Sequence, residues 1–245
     1  MNVMKYITDR IKNGKMHMGL IDPDEQHSKD AAAIAVVLEE AGSDAVMVGG
    51  STGVVKENVD NTVKAIKEVI DIPVILFPTH AGAISQYADA IYFMSMLNST
   101  DINKIIGEQR RGAPIIKKMG IEPLGMAYLI VEPGMTVGQV GKAEPIPRND
   151  NQLAVEYALA AKYFGMNLVY LEAGSGADEP VPTDMVKAVK KEVGIPLVVG
   201  GGIRTQEQAS SIASAGADVI VTGTVIEEEK GKMKTIEGLI SAIKE

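Results

Sequence analysis

The 245-residue chain contains no cysteine. Disulfides, thiolate metal sites and thiol nucleophiles are therefore excluded, while the compartment stays open. Basic charge is also scarce: 24 Lys and Arg stand against 32 Asp and Glu, a formal net charge of −8. Such a chain has no electrostatic footprint for a phosphate backbone, so nucleic acid is not an expected partner. An anionic ligand would need a local site of oriented amides instead. No apolar run approaches the ~18 residues of a membrane span. The opening MNVMKYITDRIKNGK is polar and amphipathic, without an apolar signal core. These absences lead to the expectation of a soluble, cytoplasmic protein. No glycine- or serine-rich linker interrupts the chain, so residues 1–245 are expected to form a single domain.

What is present is one repeated unit. Strand-sized, nearly continuous apolar runs occur at 17–22, 44–48, 73–77, 90–94, 124–131, 167–172, 196–199 and 218–222. Runs of that kind suit parallel strands buried on both faces. Helical patterns at 30–42, 58–70, 151–165, 183–194 and 206–216 lie between them, with Thr183 a plausible N-cap. Eight strands alternating with helices predict an α/β fold, a (β/α)8 TIM barrel. An open doubly wound sheet is the runner-up, disfavoured because no GxGxxG turn follows the first strand. Only PTHAGAISQYADA separates strands three and four, too irregular for a full helix. The bland reading is a tolerated deletion, and the functional one a gap that opens a groove to a long ligand. Several methionines, including Met94, Met96, Met119 and Met126, could line such a groove or simply fill the core. Residues 132–150 are expected to form a long structureless loop on the catalytic face.

Polar residues and glycines gather where the strands end, and in a barrel these ends converge on one mouth. The segment PLVVGGGIRT carries three consecutive glycines after strand seven, and TGT follows strand eight. Barrel phosphate sites are frequently built from these two loops. The GSG at 174–176 extends the same cradle. Tight turns alone could explain one such loop, but three adjacent loops favour a phosphate ligand. Glu172 ends strand six beside the cradle and is a candidate general base. Tyr170, two residues earlier, should share its face. Across the mouth stand Asp22, Asp24 and Glu25, with Ser51 and Thr52 after strand two. Oxygen ligands of this kind suit Mg²⁺, although Asp22 could also just form a turn and Asp24 cap a helix. His17, His27 and His80 share no metal-ligand spacing.

Taken together, LIDPDE, VGGSTG, FPTHAGAIS, FMSMLNS, AYLIVEPG, YLEAGSGA, PIPRNDN, VGGGIR and TGT resemble the geranylgeranylglyceryl phosphate synthase family of archaeal-type prenyltransferases. The motifs run in order along nearly the whole chain. The resemblance implies Mg²⁺-dependent transfer of a geranylgeranyl group from geranylgeranyl diphosphate to the 3-hydroxyl of sn-glycerol 1-phosphate, a step of archaeal ether-lipid synthesis. It implies metal ligation by Asp22 and Ser51. It further implies that the glycerol phosphate is held by Tyr170, Leu171, Glu172, Ala173, Gly174, Ser175 and Gly176, by Gly201 and Gly202, and by Gly223 and Thr224. An irregular segment in place of the third helix and a homo-oligomer, dimer or hexamer, are implied as well. The lipid product makes transient membrane contact plausible. Some relatives carry lysine at the position of Leu20 or just after DPD, where this chain has Leu20 and Glu25. Two other functions fit a phosphate-binding barrel: a phosphosugar isomerase or lyase, and a non-catalytic phospholigand-binding protein.

Overall fold

The structure is a computed structural model that describes residues 2–50, 54–228 and 233–245. Eight parallel strands close into a barrel in chain order: β1 (Met16–Ile21), β2 (Ala45–Val48), β3 (Val74–Leu76), β4 (Ala90–Met96), β5 (Glu122–Ile130), β6 (Leu168–Glu172), β7 (Leu197–Gly200) and β8 (Val219–Thr222). β8 pairs back onto β1, so no sheet edge remains. The helices are α1 (Val3–Ile11), α2 (Ser28–Glu40), α3 (Lys56–Lys67), α4 (Glu108–Met119), α5 (Met135–Gly141), α6 (Asn151–Tyr163), α7 (Thr183–Val193), α8 (Gln206–Ala215), α9 (Thr224–Glu228) and α10 (Met233–Lys244). Among the described residues no helix is long and apolar enough to cross a membrane.

Alternation along each strand splits the core in two. Met18, Met47, Ile75, Met126, Tyr170 and Val198 fill the barrel interior. Ile21, Val46, Leu76, Leu171 and Ile220 face the helices. The chain between α4 and β5 turns on Gly120, and α7 and α8 end on Gly194 and Gly216, all with positive φ, as left-handed C-caps favour glycine. Thr205 and Gln208 form a capping box at the start of α8. Thr183 does not cap α7; it is that helix's first residue, and Pro182 occupies the cap.

The interval between β3 and β4 forms only a single 3₁₀ turn, Ala81–Ala83, so the third wall helix is indeed missing. Two segments differ from expectation. The stretch 132–150 is not structureless, because α5 lies within it. Between β4 and β5 a π-helical turn (Asn103–Gly107) leads into α4, a helix whose internal Gly112 and Pro114 mask its periodicity.

β1 receives α2 unusually closely. A Cβ on Gly19 would collide with the fully buried Leu38 side chain. Leu38→Ala should therefore leave a cavity that β1 has no side chain to fill. The expected cost is about 2–5 kcal/mol of unfolding free energy, read by chemical denaturation.

Candidate active site

The loops after β6, β7 and β8 enclose a cleft of about 400 Å³ whose lining includes Tyr170, Glu172, Ser175, Gly202, Arg204 and Thr224. Hydrogen bonding joins two of these loops, since Ser175 Oγ lies 2.9 Å from Thr224 Oγ1. The short helix α9 starts at Thr224, which lines the cleft; many barrels hold phosphate at a short helix in this place. Gly201 and Gly223 line the cleft too.

The three glycines after β7 each have a reason inside the protein itself. A Cβ on Gly200 would strike the Tyr170 hydroxyl. On Gly201, with φ +82°, it would strike the Glu172 carboxylate and the Gly174 amide. On Gly202, with φ +71°, it would meet the backbone of Glu179 and Pro180. Close approach is therefore required first by the neighbouring β6 loop, and the phosphate cradle is a consequence of that packing.

Glu172 is buried at the base of the cleft. Its Oε1 accepts from the Gly174 amide at 2.7 Å and its Oε2 from the Tyr128 hydroxyl at 3.2 Å. The Tyr170 hydroxyl also bonds it. Tyr170 does share its face, as alternation requires. Among the described residues no Lys or Arg forms an ion pair with Glu172, so the carboxylate is no half of a salt bridge. Burial pushes its pKa upward, and the three hydrogen bonds oppose that shift. Burial also raises Tyr170 and Tyr128 well above the usual phenol value, an effect reinforced by the Glu172 charge. Both phenols are donors at neutral pH.

Tyr128 carries the cleft into a second cavity. An apolar groove of about 830 Å³ runs through the gap left by the missing helix, with Phe77, Tyr128, Met94 and Met96 at its inner end and Ile84 and Ile116 farther out. Phe77 packs edge-on to Tyr128 at 5.4 Å between ring centroids, and Tyr128 on Tyr170 at 5.2 Å. Tyr128, Phe77 and Arg204 were missed by reasoning from strand ends. Tyr128 lies two residues before the end of β5, and its inward parity was the available signal.

Asp22 lies at the polar end of this groove, pressed against Gly50, which lines it. Burial lifts the Asp22 carboxyl to about 6; the Asp24 amide opposes this, and the charges of Asp24 and Glu25 add to it. Asp22 Oδ1 accepts from Asp24 N at 2.9 Å, the turn expected of Asp-Pro-Asp. Its donor set is oxygen alone, which suits a hard cation that uses one or two carboxylates and completes its shell with water and substrate. Ser51, the other expected ligand, lies outside the described residues. No cluster of three or more acidic or histidine ligands occurs among the described residues.

Other expected residues fall elsewhere. Leu171 and Ala173 turn their side chains to the helix-side core, and the Ala173 amide is spent on Gly200 O. Neither residue lines the cleft. Gly174 packs against Met135 of α5, and Gly176, at φ +79°, faces open space. Asp24 caps no helix; it accepts from Asn58 Nδ2 at 2.8 Å. His80 accepts from Gly82 N and contacts Val54 O, a structural role. His17 is buried between Ser43 and Thr222 hydroxyls, and burial depresses its pKa to about 3, so it stays neutral.

The molecule is thus a (β/α)8 barrel in which a glycine-lined cleft and an apolar groove are joined through the Tyr128–Glu172 hydrogen bond. A family model for the PcrB family matches residues 8–244, and the chain belongs to that family. It is 56% identical to a geranylgeranylglyceryl phosphate synthase from Pyrococcus horikoshii, covering 93% of this chain and 90% of the relative. A second enzyme of that name, from Thermococcus gammatolerans, is 54% identical over 99% of this chain and 97% of its own. The crystal structure of (S)-3-O-geranylgeranylglyceryl phosphate synthase from Thermoplasma acidophilum, in complex with its substrate sn-glycerol-1-phosphate, superposes with a TM-score of 0.97. It has 47% identity and covers 100% of this chain and 99% of that one.

The raised pKa of Glu172 has a sign that can be tested. An acid whose folded pKa exceeds its unfolded value favours the fold fully below the unfolded value and loses that contribution as pH rises through the folded one. At neutral pH the ionised carboxylate therefore burdens the fold. Glu172→Gln should melt no lower than the parent at pH 7, and the gap should close or reverse as pH falls to the ordinary value of 4.5. Melting curves across that range check it. A buried ion pair would give the opposite result, a loss of about 3–5 kcal/mol.

Proposed function

We propose that this protein transfers a geranylgeranyl group from geranylgeranyl diphosphate to the 3-hydroxyl of sn-glycerol 1-phosphate, with Mg²⁺ as cofactor. One observation carries the reading: a glycine-lined phosphate cleft and a long apolar groove meet at the Tyr128–Glu172 hydrogen bond. The names of the relatives support the same chemistry.

The cradle amides and the start of α9 hold the acceptor phosphate and so fix the glycerol hydroxyls. Holding both reactants in register supplies much of the rate. Glu172 accepts the proton of the 3-hydroxyl as its oxygen bonds to the first prenyl carbon. The bond from that carbon to the diphosphate breaks, and its electron pair leaves with the diphosphate. Tyr128 and Tyr170 orient the carboxylate through their donated hydrogen bonds. The rings of Phe77, Tyr128 and Tyr170 keep water from the cationic allylic carbon. Asp22 would hold Mg²⁺, with Ser51 as the second protein ligand suggested by the sequence. The ion neutralises the leaving diphosphate when bound.

A lyase or isomerase of this form is less well supported, because among the described residues no lysine lines the cleft. The same reading takes the chain to act in the cytoplasm as one domain within a homo-oligomer.

Purified protein should convert labelled geranylgeranyl diphosphate and sn-glycerol 1-phosphate to the ether product. Failure with both substrates and Mg²⁺ present would refute the assignment. Asp22→Asn keeps the acceptor for Asp24 N but removes the charge. It should lose Mg²⁺-dependent turnover while calorimetry still shows glycerol phosphate binding; equal loss of both would make Asp22 structural. Glu172→Gln should lower kcat by roughly 10²–10⁴, in a protein that melts no lower at pH 7.

A further inference from the structure

Arg148 lines neither the cleft nor the groove. It stands between α5 and α6, in a segment that holds it firmly. Ile146 pairs with Val131 beyond the end of β5, with Ile146 N donating to Ile130 O at 2.9 Å and Glu132 N to Ile146 O at 3.0 Å. The Arg148 amide donates to Glu132 Oε2 at 3.2 Å. Two residues later Asp150 caps α6. From this mount the guanidinium reaches two loops. Nη1 donates to Glu132 O at 3.3 Å, and Nη2 to Pro180 O at 2.9 Å. Nη2 also pairs with Glu179 Oε2 at 3.0 Å.

Glu179 and Pro180 supply the backbone against which Gly202 packs. A Cβ on Gly202 would lie 2.5 Å from Glu179 O and 2.8 Å from Pro180 N, so the β7 loop rests directly on this stretch. Few directional contacts hold the stretch itself. Among the described residues, 178–181 take part in no hydrogen bond except those from Arg148. The bond from Ala177 N to Gly174 O precedes it, and the buried Val181 ends it. The ion pair is the lesser part of the clamp, because the Glu179 side chain is 74% exposed. The two carbonyls are the greater part. A planar guanidinium spans both in a fixed geometry, as a flexible ammonium does not.

We infer that Arg148 is a positioning residue for the acceptor: by clamping Glu132 to Pro180 it holds the 179–180 backbone against Gly202 and so sets the affinity of the cleft for sn-glycerol 1-phosphate. This rests on the reading of that cleft as the acceptor site. Arg148 itself touches no reactant. Its loss should loosen the support of the β7 loop. The groove, on the far side of the Phe77, Tyr128 and Tyr170 rings, should stay as it is.

The test is calorimetric titration with sn-glycerol 1-phosphate, without donor, on the parent, Arg148→Met, Arg148→Lys and Glu179→Gln, each well below its melting temperature. Arg148→Met keeps an apolar stem and removes the fork. Its Kd should rise about tenfold or more, the equivalent of one charge-assisted hydrogen bond. Arg148→Lys should fall between the parent and Arg148→Met, and Glu179→Gln should stay within about twofold of the parent. In steady state, KM for sn-glycerol 1-phosphate should rise in Arg148→Met while KM for geranylgeranyl diphosphate holds. An unchanged Kd in folded Arg148→Met, or an equal rise in both KM values, overturns the inference and leaves the acceptor site and prenyltransfer intact. If Arg148→Met does not fold, Arg148→Lys decides, and a Kd equal to the parent's overturns the inference. A parent that does not bind sn-glycerol 1-phosphate overturns the acceptor-site reading, and this inference with it.

Discussion

The Glu172 carboxylate is a buried anion held by one amide and two phenols, with no partner cation among the described residues. Removing a carboxylate from water is costly, and only charge-assisted hydrogen bonds of this kind make it tolerable. Each donor comes from a different part of the barrel. Tyr128 lies on β5, Tyr170 on β6 itself, and Gly174 in the loop beyond. Gly201 must lack a side chain because this carboxylate occupies the space, and Gly200 because the Tyr170 hydroxyl does. The glycine run after β7 is thus shaped by Glu172 and Tyr170.

That arrangement also divides the mouth. The interlocked rings of Phe77, Tyr128 and Tyr170 form a wall with the polar cleft on one side and the apolar groove on the other. A base beside apolar rings has a raised proton affinity, which suits proton abstraction near neutrality. A developing allylic cation beside the same rings faces π-electrons rather than water. On the proposed reading one cluster serves both reactants, and the missing third helix makes room for the longer of them.

Much of this was legible in the sequence because strand ends in a barrel must converge. The eight apolar runs, the gap before β4 and the shared face of Tyr170 and Glu172 follow from periodicity alone. What stayed hidden has identifiable causes. α4 was obscured by Gly112 and Pro114, residues that local rules read as helix breakers. α5 occupies a segment rich in glycine and proline that reads as loop. Tyr128 stands inside an apolar run rather than at its end, so only pairing of β5 with β6, with Tyr128 opposite Tyr170, reveals it. Leu171 and Ala173 were grouped with the cradle by motif, yet alternation turns their side chains to the opposite core.

The electrostatic problem of the site is that anions meet anions. The protein carries a net charge of −8, its mouth bears Asp22, Asp24, Glu25 and Glu172, and the proposed reaction brings a phosphate and a diphosphate there. Two separate solutions are built into two sides of the barrel. On the β6–β8 side, the proposed function relies on backbone amides of the glycine loops and the start of α9, a source of positive potential that needs no mobile ion. On the β1–β2 side the carboxyl of Asp22 is held at about 6 by burial and by its acidic neighbours. A carboxyl in that state repels a diphosphate unless a divalent cation lies between them, and the cation in turn draws the carboxyl back to its ionised form. On the proposed reading, the acceptor side would bind its ligand without metal, whereas the donor side would call for metal and diphosphate together.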